Sequence, residues 1–220
     1  MTALFKYPLN AAFGRVLPKT KIYDHGKPSA AIKEHFVRQV AQITWQYKLA
    51  PETINIQSTP SVPEIQIFTV ALKDTELKTE VLRCIDQAIP LPIFFELHFN
   101  GKVKPVAAFK RPSEAEAGKW VASDYFDGPW RPDDVPRNPL PVVFDLEVLY
   151  RHLLTPLMPY PARPGEGLKA WVERVECIRL KDRELARCEV RLRNEKQFNR
   201  KVGINAELRD LKQEREGLIS

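Results

Sequence analysis

The chain has 220 residues, with 34 Lys/Arg against 28 Asp/Glu, a net charge of +6 and 44% hydrophobic residues. That suits one globular domain with an appendage and excludes a low-complexity or collagen-like chain. The three cysteines, Cys84, Cys177 and Cys188, are widely spaced, which argues against a disulfide framework or a zinc knuckle. The longest apolar runs, such as Ile93-Phe94-Phe95, are too short to span a bilayer, and Met1–Leu9 lacks the layout of a signal peptide. A cytoplasmic protein without a membrane partner is expected.

Charge is unevenly placed. Residues 1–48 hold eight Lys/Arg against two Asp/Glu, residues 49–162 hold 11 against 15, and residues 163–220 hold 15 against 11. Positive charge at both ends favours an anionic partner there, although such runs more often solvate helix faces.

In chain order, Leu4–Lys27 is punctuated by Pro8, Gly14, Pro18 and Gly26 and reads as irregular, with Pro18 keeping Arg15–Tyr23 extended. Ser29–Leu49 places Ile32, Phe36, Val40, Ile43 and Tyr47 at spacings of three and four, which predicts one amphipathic helix ended by Pro51. Ile54–Gln57 and Glu64–Leu72 are rich in β-branched residues and read as strands. Asp74 is placed to cap a helix with Leu77, Val81, Ile85 and Ala88 as its apolar stripe. Ile93–Phe99 alternates cleanly, Asn100-Gly101 is a strong hairpin signal, and Val103–Phe109 returns. Residues 112–142 are rich in loops, with a strand at Trp120–Phe126. Phe144–Leu157 is a helix with Asp145 near its start.

Pro159, Pro161, Pro164, Gly165 and Gly167 mark a linker, after which none of the 19 prolines remains. Leu168, Trp171, Val175, Ile178, Leu185 and Leu192 follow a near-heptad rhythm interrupted by Asp182 and Glu189. A second register, Ile204, Leu208, Leu211 and Leu218, meets the first around Phe198–Gly203. An unbroken helix would approach about 75 Å; it either protrudes or bends at Gly203, and protrusion is expected. The fold class is therefore α+β. A mixed sheet of four or five strands flanked by helices fills residues 1–160, a linker spans 161–167, and a C-terminal helical arm spans 168–218.

No phosphate-binding glycine loop is present, and His25, His35, His98 and His152 fall in no metal-ligand spacing. No cofactor or metal is expected. The sharpest catalytic idea is a nuclease-like cluster of Glu64, Glu96 and Lys110, since carboxylates on adjacent strands can hold Mg²⁺ beside a charge-stabilising lysine. The spacing lacks the tight acid-x-Lys pair of such enzymes. A sequence-neutral nucleic-acid surface is the better candidate: Arg15, Lys19, Lys21 and Lys48, with Lys102, Lys104, Lys110 and Arg111. Trp120, Tyr125, Phe126 and Trp130 either stack on a ligand or cover an open sheet face. For partner binding, Phe198 between Lys196 and Arg200, with Asn199 and Val202, is either an anchor with a cationic rim or packs on its own domain.

Pro18–Tyr23, Trp45–Leu49, Ile85–Pro90 and Glu195–Val202 resemble a prokaryotic family known as domain of unknown function 4391. The resemblance covers nearly the whole chain. It implies an accessory role in restriction or phage defence, because members tend to be encoded beside DNA methyltransferase and helicase genes; it implies no reaction. The expected function is a non-enzymatic adaptor whose arm engages a helicase, a methyltransferase or a second copy of itself. The alternatives are a nucleic-acid-binding module and a divergent metal-dependent nuclease.

Overall fold

A computed structural model describes residues 3–116 and 118–220. The chain divides into two compact units, one ending at Met158 and one spanning Pro159–Ser220.

The first unit runs β1 (Phe5–Lys6), β2 (Ala12–Val16), α1 (Lys19–Gly26), α2 (Ala30–Gln39), β3 (Val40–Leu49), α3 (Pro51–Ile54) and β4 (Ile65–Leu72). It continues with α4 (Thr79–Ala88), β5 (Ile93–Phe99), β6 (Lys102–Pro112), β7 (Trp120–Asp127), β8 (Arg131–Pro132), β9 (Asn138–Pro139) and α5 (Leu146–Leu154). Seven strands form a mixed sheet in the order β2-β3-β4-β5-β6-β7, with β8 also on β6, while β1 and β9 pair separately in parallel. Within the large sheet the parallel pair is β4–β5, and α4 is the crossover that such a pair requires.

One sheet face, carrying Ile43, Phe68, Val70, Phe95, Leu97 and Val106, packs on α1, α2 and α4 through Ile22, Phe36, Val81 and Ile85. Close approach of α1 to α4 depends on Gly26, where an added Cβ would lie 2.7 Å from the Cys84 carbonyl oxygen. The opposite face carries Phe94, Glu96 and Phe109; Arg137 reaches Glu96 there, and Tyr150 of α5 stacks on Phe109.

The hairpin at Asn100-Gly101 forms as expected, with both residues at positive φ, 45° and 67°. Three expectations need correction. The helix predicted over Ser29–Leu49 ends at Gln39, and Val40–Leu49 is a ten-residue strand. Its apolar positions satisfy a helical rhythm, but Val40, Ile43, Thr44, Trp45 and Tyr47 are β-branched or aromatic, and pairing on both sides decides the outcome. Pro18 does not hold Lys19–Tyr23 extended; it is the N-cap of α1. Ile54–Gln57 is the end of a short helix followed by a lone bridge from Gln57 to Asp145. Two capping roles also separate. Asp145 caps α5, its carboxylate accepting from Val148 N–H at 2.8 Å, whereas Asp74 binds Thr75 N–H and α4 starts at Thr79.

The second unit is a helical hairpin. After the proline-rich segment, α6 (Leu168–Asn194) and α7 (Phe198–Ile219) are joined by Glu195–Gln197. They are antiparallel: Arg191 pairs with Glu207 and Lys181 with Glu214, while Cys188 Sγ–H donates to the Ile204 carbonyl at 3.7 Å. The single arm inferred from sequence is thus two helices, and Gly203 lies inside α7 rather than at the bend. At the turn the Glu195 carboxylate accepts from the N–H groups of Lys196 and Gln197, at 2.8 and 2.9 Å. Folding back lets the two apolar registers face each other instead of water.

Candidate functional site

Glu64, Glu96 and Lys110 are not brought together. Glu64 precedes β4 and is tied to Lys48 at 3.2 Å, and it accepts a 2.8 Å hydrogen bond from Gln66. Glu96 and Lys110 point from opposite faces of the sheet, since Glu96 meets Arg137 and Lys110 meets α4. A three-membered metal or catalytic cluster cannot form across a sheet. Among the described residues no group of three or more His, Cys, Asp or Glu side chains is placed to hold a metal ion.

Each of the two buried residues anchors its own network. Arg137 grips both Glu96 carboxylate oxygens, at 2.7 and 2.8 Å, and donates to the Phe5 carbonyl at 3.1 Å, fastening β1 to the sheet. His98 Nε2 stands 3.8 Å from the same carboxylate, an ion-pair distance. Burial by itself would raise the Glu96 carboxyl, but the donors and charges of His98 and Arg137 outweigh it and hold it below its ordinary value. Tyr7 lies beside this pair with its hydroxyl buried and, among the described residues, without a hydrogen-bond partner; burial, then the Glu96 charge, pushes that phenol well up.

On the other face Lys110, 3% exposed, donates to the Asp86 carboxylate at 3.2 Å and to the Asp86 and Ile89 carbonyls. It therefore serves as the C-terminal cap of α4, satisfying carbonyls that have no partner within the helix. Tyr125 O–H donates to the second Asp86 oxygen. Burial lowers the Lys110 amine and raises the Asp86 carboxyl, and each is restrained by the charge of the other. Next to Lys110 the β6–β7 register slips, from Ala108 opposite Tyr125 to Lys110 opposite Ala122. Tyr150 repairs the slip: its hydroxyl accepts from Lys110 N–H at 2.9 Å and donates to the Ala108 carbonyl at 2.6 Å. Phe109 N–H is taken by Ser123 Oγ. All three Lys110 donors are thus used in holding the fold, and a cleft of about 480 Å³ beside it, lined also by Arg83, Lys119 and Trp120, meets an amine already spent.

Of the eight nucleic-acid candidates, several are committed within the fold, Lys104 to Asp127 among them. Lys19 donates to the Phe36 and Val40 carbonyls at 2.9 and 2.6 Å, closing the end of α2, and Lys48 is held by Glu52 and Glu64. Lys110 is buried. Arg15 lies on edge strand β2, Lys21 on α1, and Arg111 on β6 beside Glu114. Of the aromatic loop, Phe126 is fully buried and Tyr125 and Trp130 pack on the core, which is the sheet-covering alternative; Trp120 lines the cleft.

The partner-binding candidates do fall together, at the hairpin turn and the first turns of α7. Phe198 is 78% exposed and Val202, one turn on, is 55% exposed. Lys196, Asn199 and Arg200 are exposed around them. A groove of about 580 Å³ beside them runs between Val190, Arg191 and Asn194 of α6 and Arg200, Gly203 and Ile204 of α7. Gly203 opens it, because no atom lies within 4 Å of where its Cβ would be.

At the other end of the hairpin is a clasp that sequence reasoning missed. Arg174 donates to both Glu166 oxygens at 2.6 and 2.8 Å, to the Pro161 carbonyl at 2.8 Å and to the Leu218 carbonyl at 3.2 Å. Arg163 adds bonds to the Gly217 and Leu218 carbonyls, placing positive charge at the carbonyl end of α7. The hydrogen bonds from Arg174 hold the Glu166 carboxyl down to about 2. The only trace of this clasp in the sequence was an arginine on the buried side of an apolar stripe.

No helix among the described residues is long and apolar enough to cross a membrane. No functionally curated protein and no solved structure matches the chain. The model of the family described as domain of unknown function, DUF4391, matches residues 5–214, nearly the whole length, and the chain belongs to that family.

Proposed function

We propose that the protein is a non-enzymatic accessory subunit that works by docking, with its C-terminal hairpin as the docking element. The observation that carries this is the pair Phe198 and Val202, left in water at the hairpin tip. An exposed aromatic at a helix–helix turn contributes little to its own fold, and a cationic rim around it is the pattern of an interface anchor. In the first unit the residues with chemical potential, Glu96, Lys110 and Asp86, are committed to holding strands and helices, which suits a scaffold. The setting we propose is a prokaryotic DNA-targeting restriction or anti-phage assembly, and it rests on the resemblance to a family encoded beside helicase and methyltransferase genes. The partner is then such a helicase or methyltransferase, or a second copy of the chain.

The test is co-purification of the intact chain with a tagged helicase or methyltransferase, with light scattering for self-association. Phe198→Ser with Val202→Ser should abolish whichever association is seen. An association unaffected by that pair would rule the hairpin tip out as the docking element.

A further inference from the structure

The positive charge of the second unit is not spread along it. Residues 187–202, comprising the end of α6, the turn and the start of α7, hold six Lys/Arg against two Glu. The remainder, residues 159–186 and 203–220, holds nine of each sign. The entire surplus of the hairpin therefore sits at its tip. Charges that only solvate helix faces would be interleaved, as they are lower down, where Lys181 reaches Glu184 and Glu214 and Arg215 reaches Asp182.

At the tip that pairing stops. Arg191 is held by Glu207 at 2.9 Å, but among the described residues no carboxylate lies within ion-pair distance of Arg187, Arg193, Lys196, Arg200 or Lys201. Glu195 accepts from the backbone of the turn, and its charge acts on Arg200 and Lys201 only from beyond ion-pair distance. The same short stretch carries Asn194, Gln197 and Asn199, whose amides are further donors. Clustered like charges repel, and the arrangement is favourable once a polyanion neutralises them.

We propose that the hairpin tip contacts the phosphate backbone of a nucleic acid, without sequence preference, through Arg187, Arg193, Lys196, Arg200 and Lys201. Five cations spread around two helix ends and a turn suit a continuous ribbon of phosphates better than one slot in a protein. The site differs from the basic surface expected from sequence, of which Lys19, Lys48, Lys104 and Lys110 are spent on helix ends and ion pairs. It shares Lys196 and Arg200 with the rim of the proposed docking element but does not use its apolar pair, Phe198 and Val202.

Fluorescence anisotropy with the full chain and fluorescein-labelled random-sequence duplexes, DNA in one arm and RNA in the other, tests this directly and identifies which backbone is held. With the five cations engaged on DNA, log Kd should change with log salt at a slope of about 4.5, which is about 500-fold weaker binding between about 50 and 200 mM salt. The variant R193Q/K196Q/R200Q/K201Q should lose roughly 100-fold in affinity at low salt and flatten the slope. Its circular dichroism should be unchanged, because those side chains hold no ion pair. Phe198→Ala and R15Q/K21Q should each bind the duplexes as the parent chain does. Absence of binding to both duplexes at low salt, or full binding by the quadruple variant, overturns the proposal. Loss of protein association in Phe198→Ala with duplex binding intact would show the two readings to be separate.

Discussion

Replacing Arg174 with Met should open the helical hairpin at its closed end. The Arg174 side chain is 6% exposed and spends its donors on Glu166, Pro161 and Leu218, so one residue joins the entry segment, α6 and the end of α7. Met fills similar volume but leaves the Glu166 carboxylate with only the Arg163 N–H, at 2.8 Å, and the Pro161 carbonyl without its donor. Leu218 keeps its bond from Arg163. Breaking a buried ion pair costs about 3–5 kcal/mol, and because the Glu166 side chain is 10% exposed and can recover some water, the low end applies, about 3 kcal/mol. The other ties near this end are the Arg163 bonds to Gly217 and Leu218 and the part-exposed pairs Lys181–Glu214 and Arg215–Asp182, which are worth little each. Ile204 is the one buried residue of α7, Leu208, Leu211 and Leu218 are half-buried, and a helix of 22 residues is marginal alone in water. Amide hydrogen exchange over Leu211–Ile219 should therefore accelerate by roughly 100-fold, while β4 and β5 exchange as before. Arg174→Lys should fall between, since an ammonium cannot bridge both carboxylate oxygens. The double variant Glu166→Leu with Arg174→Met should recover part of the loss, because no charge is then stranded. Unchanged exchange in α7 of Arg174→Met would refute the clasp, as would a double variant no better than the single.

Three further outcomes follow from the same networks. Glu166 has a folded value of about 2 against an ordinary 4.5, so its contribution is present above about pH 4.5 and lost as pH falls towards 2. The exchange difference between the parent chain and Glu166→Gln should shrink across that window, and a difference independent of pH would contradict it. Arg137→Ala strands the buried Glu96 carboxylate with only His98 nearby; a loss of about 3 kcal/mol should lower the melting temperature by roughly 6–12 °C, whereas a shift under about 2 °C would mean the pair contributes little. Tyr150→Phe removes one hydroxyl serving both a backbone N–H and a carbonyl at the β6–β7 slip, and chemical denaturation should show a loss of about 1–3 kcal/mol with exchange at Lys110 N–H increased.

Local signals in the chain carried a good part of the fold. Asn100-Gly101 determines its hairpin because both residues tolerate the positive φ the turn requires, and the alternation of Ile93–Phe99 assigns Phe95 and Glu96 to opposite faces. The two apolar registers near the C-terminus were equally legible. Other features depended on what lies far away along the chain. Val40–Leu49 fits a helical and an extended rhythm alike, and only the neighbouring strands β2 and β4 select the strand. Glu96 and Lys110 are polar residues in apolar strands, which reads as chemistry until Arg137 and α4 supply their partners from 41 and 24 residues away. The same holds at the C-terminus. Composition established long helices and placed Phe198 among cations, since both are matters of local order. The register mismatch that pointed to Gly203 is resolved instead by a turn at Glu195–Gln197, because two apolar stripes lose more water by facing each other than by extending apart.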